Sequence, residues 1–100
     1  MLGDPQVLSR AARALGILLP VALLDSPADL ALRPAGSLGV LRPAGLPTDL
    51  AQLPWGGIDA RSGRAAAACI EAAVRHVQRG EASALVTAPL HKEALAAAGV

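Results

Sequence analysis

The residues best suited to chemistry lie close together near the C-terminal end of the chain, in the run Thr87-Ala88-Pro89-Leu90-His91-Lys92. A hydroxyl, an imidazole and an ammonium group follow the apolar stretch Ala82 to Val86 and open a helical pattern that begins at Pro89. Open α/β sheets bind ligands at such strand-to-helix junctions. Proline at the first helical position has no N–H to leave unpaired, but the N–H groups of Leu90 and His91 would lack intrahelical acceptors, and Ala88 at the cap offers no side-chain oxygen. A helix start of that kind attracts phosphate or carboxylate. The helix dipole disfavours cations in the first turn by about 0.3–1 kcal/mol, a penalty that an arriving anion reverses. Thr87, His91 and Lys92 are therefore the candidate substrate- or anion-proximal residues. A plainer reading stands beside this one: Lys92 is solvated, His91 is a surface imidazole and Thr87 fills a strand end. No glycine-rich fingerprint decides between them, because Gly56-Gly57 follows Trp55 in a proline-rich stretch and fits neither GxGxxG nor a Walker sequence.

Other reactive side chains offer less. His76 sits among Arg75, Gln78 and Arg79 near a helix end, without an HExxH partner, and reads as a solvated residue favoured by the dipole. Cys69, between Ala68 and Ile70, reads as packing, since nothing near it in sequence would lower its pKa. Arg61 and Arg64 could meet an acidic ligand, although a cap at Asp59 and surface roles explain that segment equally well. With two His, one Cys and scattered carboxylates, neither a metal site nor a catalytic triad can be assembled, and no catalytic residue is assigned.

Three helices must position these groups. Asp4-Pro5 starts the first, with Val7, Leu8, Ala11, Ala12 and Leu15 at helical spacing and Gly16 as its stop. Ile17 to Leu24 is an apolar run in which Pro20 permits only an edge or broken strand, followed by a turn at Asp25-Ser26-Pro27. Leu-Arg-Pro-Ala-Gly occurs at Leu32 to Gly36 and again at Leu41 to Gly45, which predicts two turns flanking a short strand over Ser37 to Leu41. Asp59 caps a helix to about Arg79, with Ala66, Ile70, Ala73, Val74 and Val77 on one face, a Glu71–Arg75 pair on the other, and Gly80 as the stop. Ala82 to Val86 is predicted as a strand, and Pro89 to Ala98 as a helix closed by Gly99. The expected class is α/β with parallel strands, in one incomplete domain: a helix unit at 1–16, a proline-rich strand and loop connection at 17–58, and a helix-strand-helix unit at 59–100. Only Met1 to Gly3 precede the first helix and Val100 follows directly on a glycine cap, so the chain is expected to be a piece of a larger protein.

Composition agrees with a small globular piece. Of 100 residues, 53% are hydrophobic, yet 23 are Ala, 17 are Leu and Trp55 is the one aromatic, so the core is built from small blocks. The formal charge of +1 excludes a polybasic nucleic-acid arm, and no apolar run reaches the 18 or so residues that cross a bilayer. A single cysteine and the lack of a secretory leader pattern point to the cytoplasm, and neither nucleic acid nor membrane is an expected partner.

Ala60-Arg61-Ser62-Gly63-Arg64-Ala65-Ala66, Ile70-Glu71-Ala72-Ala73-Val74, Gly80-Glu81, the run Ala84 to Leu95 and Ala98-Gly99-Val100 together resemble the 4-hydroxythreonine-4-phosphate dehydrogenase family. The likeness rests on a Ser-Gly-Arg helix start, a Thr-Ala-Pro strand end with Lys three residues on, and an Ala-Gly-Val or Ala-Gly-Ile helix end. It is looser over Gly3 to Gly16, and in the proline-rich middle only placement and general character agree. The resemblance implies a partial parallel-sheet lobe of an isocitrate/isopropylmalate dehydrogenase-like fold, and a homodimer when the protein is full length. It also implies NAD and a divalent metal as cofactors of the parent enzyme, and oxidation with decarboxylation of 4-phosphooxy-threonine in pyridoxal phosphate (vitamin B6) biosynthesis. Thr87 and Lys92 fall on motif positions near the family's cleft. The family's Gly-Asp-Pro-Ala-Gly-Ile-Gly-Pro loop, its Gly-His-Thr-Glu motif and its metal-binding histidines are not among these residues, so this chain alone is expected to be inactive. Two alternatives are a paralogue acting on a threonate or erythronate phosphate, and a non-catalytic α/β interaction module.

Overall fold

The structure, a computed structural model, describes all of residues 1–100 and divides into two compact units, Met1–Arg42 and Pro43–Val100.

In the first unit, the carboxylate of Asp4 accepts the N–H groups of Gln6 at 2.8 Å and Val7 at 3.3 Å, and Pro5 takes the first position of helix α1, Pro5–Ala14. The cap therefore satisfies two donors that the helix cannot. Asp4 is buried, with the Arg42 guanidinium 3.6 Å away. α1 packs on strand β1, Val21–Leu24, which pairs in parallel with β2, Leu38–Leu41, from Val21 opposite Leu38 to Leu24 opposite Leu41. Pro20 precedes β1 and uses only its carbonyl, accepting from Leu38 N at 2.8 Å, so its missing N–H costs the ladder nothing. Both Leu-Arg-Pro-Ala-Gly copies make turns: Gly36 and Gly45 have φ of +78° and +82°, the left-handed conformation that a type II turn demands of its third residue.

Two features depart from expectation. The turn at Asp25-Ser26-Pro27 opens a 3₁₀ helix, Pro27–Leu32, because the Asp29 carboxylate accepts the Ser26 N–H at 3.2 Å and Pro27 pre-sets the first helical dihedral. The residues before α1 also join the sheet: Leu2 bridges Leu41, with Leu41 N donating to Met1 O at 2.7 Å and Gly3 N to Leu41 O at 3.0 Å. β2 is thus bonded along both edges, and its Val40 is fully buried.

In the second unit, Leu46, Leu50 and Leu53 are buried around a short 3₁₀ turn, Leu50–Gln52. Helix α2, Ala60–Gln78, starts at Asp59 as expected and packs against α3, Lys92–Ala97. The stripe of α2 that is buried runs through Gly63, Ala72 and Ala73, whereas Val74 is 39% exposed, a correction to the expected apolar face. Glu71 and Arg75 are not paired; at this end of α2 the Glu81 carboxylate lies 3.4 Å from His76 Nδ1 and forms an ion pair with Arg79 at 3.9 Å.

The region after α2 differs most. Ala82 to Val86 is not a strand: the neighbouring elements of this unit are helices that offer no ladder, so the backbone is irregular and exposed, with Val86 92% accessible. The last helix begins at Lys92 rather than Pro89. Ala88 has no acceptor to cap it, and the first capable side chain is His91, whose Nδ1 accepts the Ala94 N–H at 3.3 Å. All three helices end alike, with a glycine bonded back to the antepenultimate turn and the residue after it reaching one carbonyl further, as in Gly80 N to Val77 O and Glu81 N to His76 O, both 3.0 Å.

Candidate functional site

Thr87, His91 and Lys92 are all exposed, on the irregular segment that leads into α3 and at the first turn of that helix. Of the three, only His91 makes a side-chain hydrogen bond, and it is turned to the helix as its cap. The Leu90 and His91 amides therefore lie ahead of α3 and are not first-turn donors. Lys92, at the first helical position, enters none of the chain's ion pairs and stands beside Glu93, whose charge suits the start of a helix.

What holds this segment is the contact of α3 with α2. Gly63 lies so close to the Ala94 carbonyl that a Cβ there would overlap it, and it would also come within 2.9 Å of Leu95 N. Ala94 is 5% exposed. Its amide is thus taken by His91 and its carbonyl rests against Gly63, so one residue fixes the start of α3 from both sides. The Ser62-Gly63-Arg64 run has a physical reason: glycine inside a helix costs about 0.5–1 kcal/mol, and here it permits backbone-to-backbone approach.

At the start of α2 the structure builds a cluster that spacing alone does not reveal. Asp59 Oδ1 accepts from Arg61 N at 2.8 Å and from Arg61 Nε at 3.0 Å, while its Oδ2 accepts from the same guanidinium at 2.9 Å. The remaining guanidinium arm donates to Asp49. The Arg61 side-chain hydrogen bonds, then its backbone N–H, hold the Asp59 carboxyl at about 2, below the usual 3.8. The two carboxylates push the Arg61 guanidinium still further from deprotonation. Arg61 is thereby committed within the chain and not offered to an acidic ligand. Asp49 could not be found by motif, being twelve positions from Arg61 and outside any local spacing rule.

His76 is paired with Glu81, and Cys69 is half-buried within α2. No three His, Cys, Asp or Glu side chains converge, and no helix is long and apolar enough to cross a membrane.

A profile of the family described as pyridoxal phosphate biosynthetic protein PdxA matches residues 1–100. Among curated proteins, the chain is 35% identical over 99 residues to a 4-hydroxythreonine-4-phosphate dehydrogenase of Prosthecochloris aestuarii, covering 99% of this chain and 28% of that protein. It is 44% identical over 97 residues to the protein of the same name from Xanthobacter autotrophicus, covering 97% and 26%. A Symbiobacterium thermophilum protein provisionally named D-threonate 4-phosphate dehydrogenase is 32% identical over 101 residues, covering 100% of this chain and 29% of the relative. The chain spans between a quarter and a third of the length of these relatives. No solved structure matches it significantly.

Proposed function

The chain belongs to the PdxA family of pyridoxal phosphate biosynthetic proteins, and on that premise we propose that it is part of an NAD-dependent dehydrogenase that oxidises and decarboxylates 4-phosphooxy-threonine. The observation that carries this reading is the family match across the full chain, joined by identities of 35% and 44% to proteins bearing the 4-hydroxythreonine-4-phosphate dehydrogenase name. On this reading the chain contributes to a lobe of the isocitrate/isopropylmalate dehydrogenase type, in a cytoplasmic homodimer.

The donor set present does not fit a divalent metal, since no three ligating side chains converge. The nicotinamide cofactor and the metal belong to residues of the parent enzyme outside this chain, so residues 1–100 alone are inactive. Within the chain, Thr87, His91 and Lys92 lie near the substrate. The Lys92 ammonium, free of any carboxylate partner, offsets the substrate's anionic charge, and the exposed Thr87 hydroxyl donates a hydrogen bond to it. His91 lies exposed beside them. Support also comes from apolar side chains left open to solvent within each unit, such as Leu18 and Val86, which a larger protein would cover.

The relatives named for D-threonate 4-phosphate favour a second reading, in which the substrate is that phosphorylated hydroxy acid. One experiment separates the two. Residues 1–100 replace the matching segment of the Xanthobacter autotrophicus relative, and NADH formation is measured with each substrate and a divalent metal. Turnover of 4-phosphooxy-threonine is expected, with KM raised about tenfold or more by Lys92→Ala at little cost to kcat. Preference for D-threonate 4-phosphate would favour the second reading, and a folded chimera inert towards both would refute both.

A further inference from the structure

We propose that His91 is a pH-sensitive cap that holds the start of α3 only while its imidazole is neutral. The inference rests on the geometry around Ala94 and is independent of the proposed function. His91 Nδ1 accepts the Ala94 N–H at 3.3 Å, which requires a lone pair on Nδ1 and so places the proton of the neutral ring on Nε2. A second proton goes to Nδ1, turns the acceptor into a donor and leaves the Ala94 N–H facing a like donor. No other side chain takes that amide, because the next oxygen-bearing residue on α3, Glu93, lies within the first turn and not ahead of it.

α3 is poorly placed to survive the loss. It is six residues long, too short to be stable from its own hydrogen bonds, and it depends on its cap and on its seat against α2. Both supports meet at Ala94, whose amide is capped by His91 and whose carbonyl rests on Gly63. The charged groups on the elements around His91 are Lys92 and Glu93 on α3, and Asp59, Arg61 and Arg64 on the turn of α2 that carries Gly63, with Arg61 already held by Asp59 and Asp49. Lys92 is the first residue of the helix that acidification would release, and Thr87 lies on the irregular segment before it.

The test is a nitrogen-15 NMR titration of the 100-residue chain, carried downward in pH until the ring signals themselves report protonation. It is read together with the exchange protection of the Ala94 to Ala98 amides, corrected for intrinsic exchange. The Nε2–H tautomer is expected at high pH, with protection falling about fivefold, the size of a lost cap, as the ring protonates. His91→Asn, which caps without titrating, should keep the protection and abolish the step; His91→Ala should show the low protection at both ends. A Nδ1–H tautomer, a flat protection profile, a step that persists in His91→Asn, or an α3 unformed at high pH would each overturn the proposal.

Discussion

Arg61 illustrates how a single residue can look available in sequence and be committed in the fold. Its guanidinium is shared between Asp59 and Asp49, so the charge that spacing offered to a ligand is spent on fixing the entry to α2. A pH dependence follows. Asp59 has its carboxyl at about 2 against the usual 3.8, first through the Arg61 side-chain hydrogen bonds. Because the folded value lies below the unfolded one, the unfolded chain binds more protons between them. Stability from this group is therefore fully present above about pH 4 and is lost as pH falls towards 2. In a carbon-13 carboxyl titration Asp59 should show this low value, and Arg61→Ala should return it towards 3.8; an Asp59 titrating normally in the parent chain would sink the assignment. Asp4 makes the same kind of cap in a buried setting, without an arginine on its own helix start. Replacing it by alanine leaves the Gln6 and Val7 amides unpaired and should cost about 1 kcal/mol, read as a lowered denaturant midpoint at unchanged slope.

Among the elements, those whose ends are defined by side-chain chemistry were legible, and those defined by pairing were not. Asp4 with Pro5, Asp59, and the glycines at 16, 80 and 99 each settle a helix end locally, and the helices lie where those residues put them. Pro20 and the repeated Pro-Ala-Gly turns likewise bound β1 and β2. The run Ala82 to Val86 has strand composition but no ladder beside it, and a strand is a property of two segments. The start of α3 was misplaced for a related reason: proline at a first helical position is permissive, while histidine as a cap is uncommon enough to escape a rule built on oxygen acceptors. Of the candidate site, the spacing singled out Thr87, His91 and Lys92, and the structure shows all three exposed, before and at the start of α3, in a local geometry the spacing did not foretell. The α2–α3 contact gives the sharpest test at this scale. Gly63→Ala drives a Cβ into the Ala94 carbonyl, a backbone group that cannot step aside, and should cost about 1–3 kcal/mol while releasing α3 to exchange. Gly57→Ala is the control, since its Cβ would meet only Pro54 O at 3.8 Å. Equal behaviour of the two variants would show that α3 is not seated on Gly63.

For the whole chain, the alanine- and leucine-heavy composition becomes a statement about surface. Val40 is the one large side chain with under 2% exposure; the other buried apolar residues are Ala12 and Leu24 in the first unit, and Leu46, Leu50, Leu53, Ala72, Ala73 and Ala94 in the second. Small residues contribute little apolar area each, at roughly 25 cal/mol per Å², so burial here stabilises less than the hydrophobic percentage suggests. Larger apolar groups stay outside. Between α1 and β1, Leu15, Ile17, Leu18 and Leu19 form a nearly continuous exposed run, with Leu18 95% accessible. A contiguous exposed apolar run favours association, because covering it removes apolar area from water. Residues 1–100 in isolation should therefore self-associate with rising concentration, seen as an increase in weight-average mass by sedimentation. Because Leu18 touches little in the folded chain, Leu18→Ser should leave helicity and unfolding within about 0.5 kcal/mol of the parent. The same change removes the most exposed member of the run and should shift association to several-fold higher concentration. If Leu18→Ser unfolds the chain, the residue is buried in solution and the exposed surface is not as described; if it folds and associates unchanged, the 15–19 run is not the surface responsible.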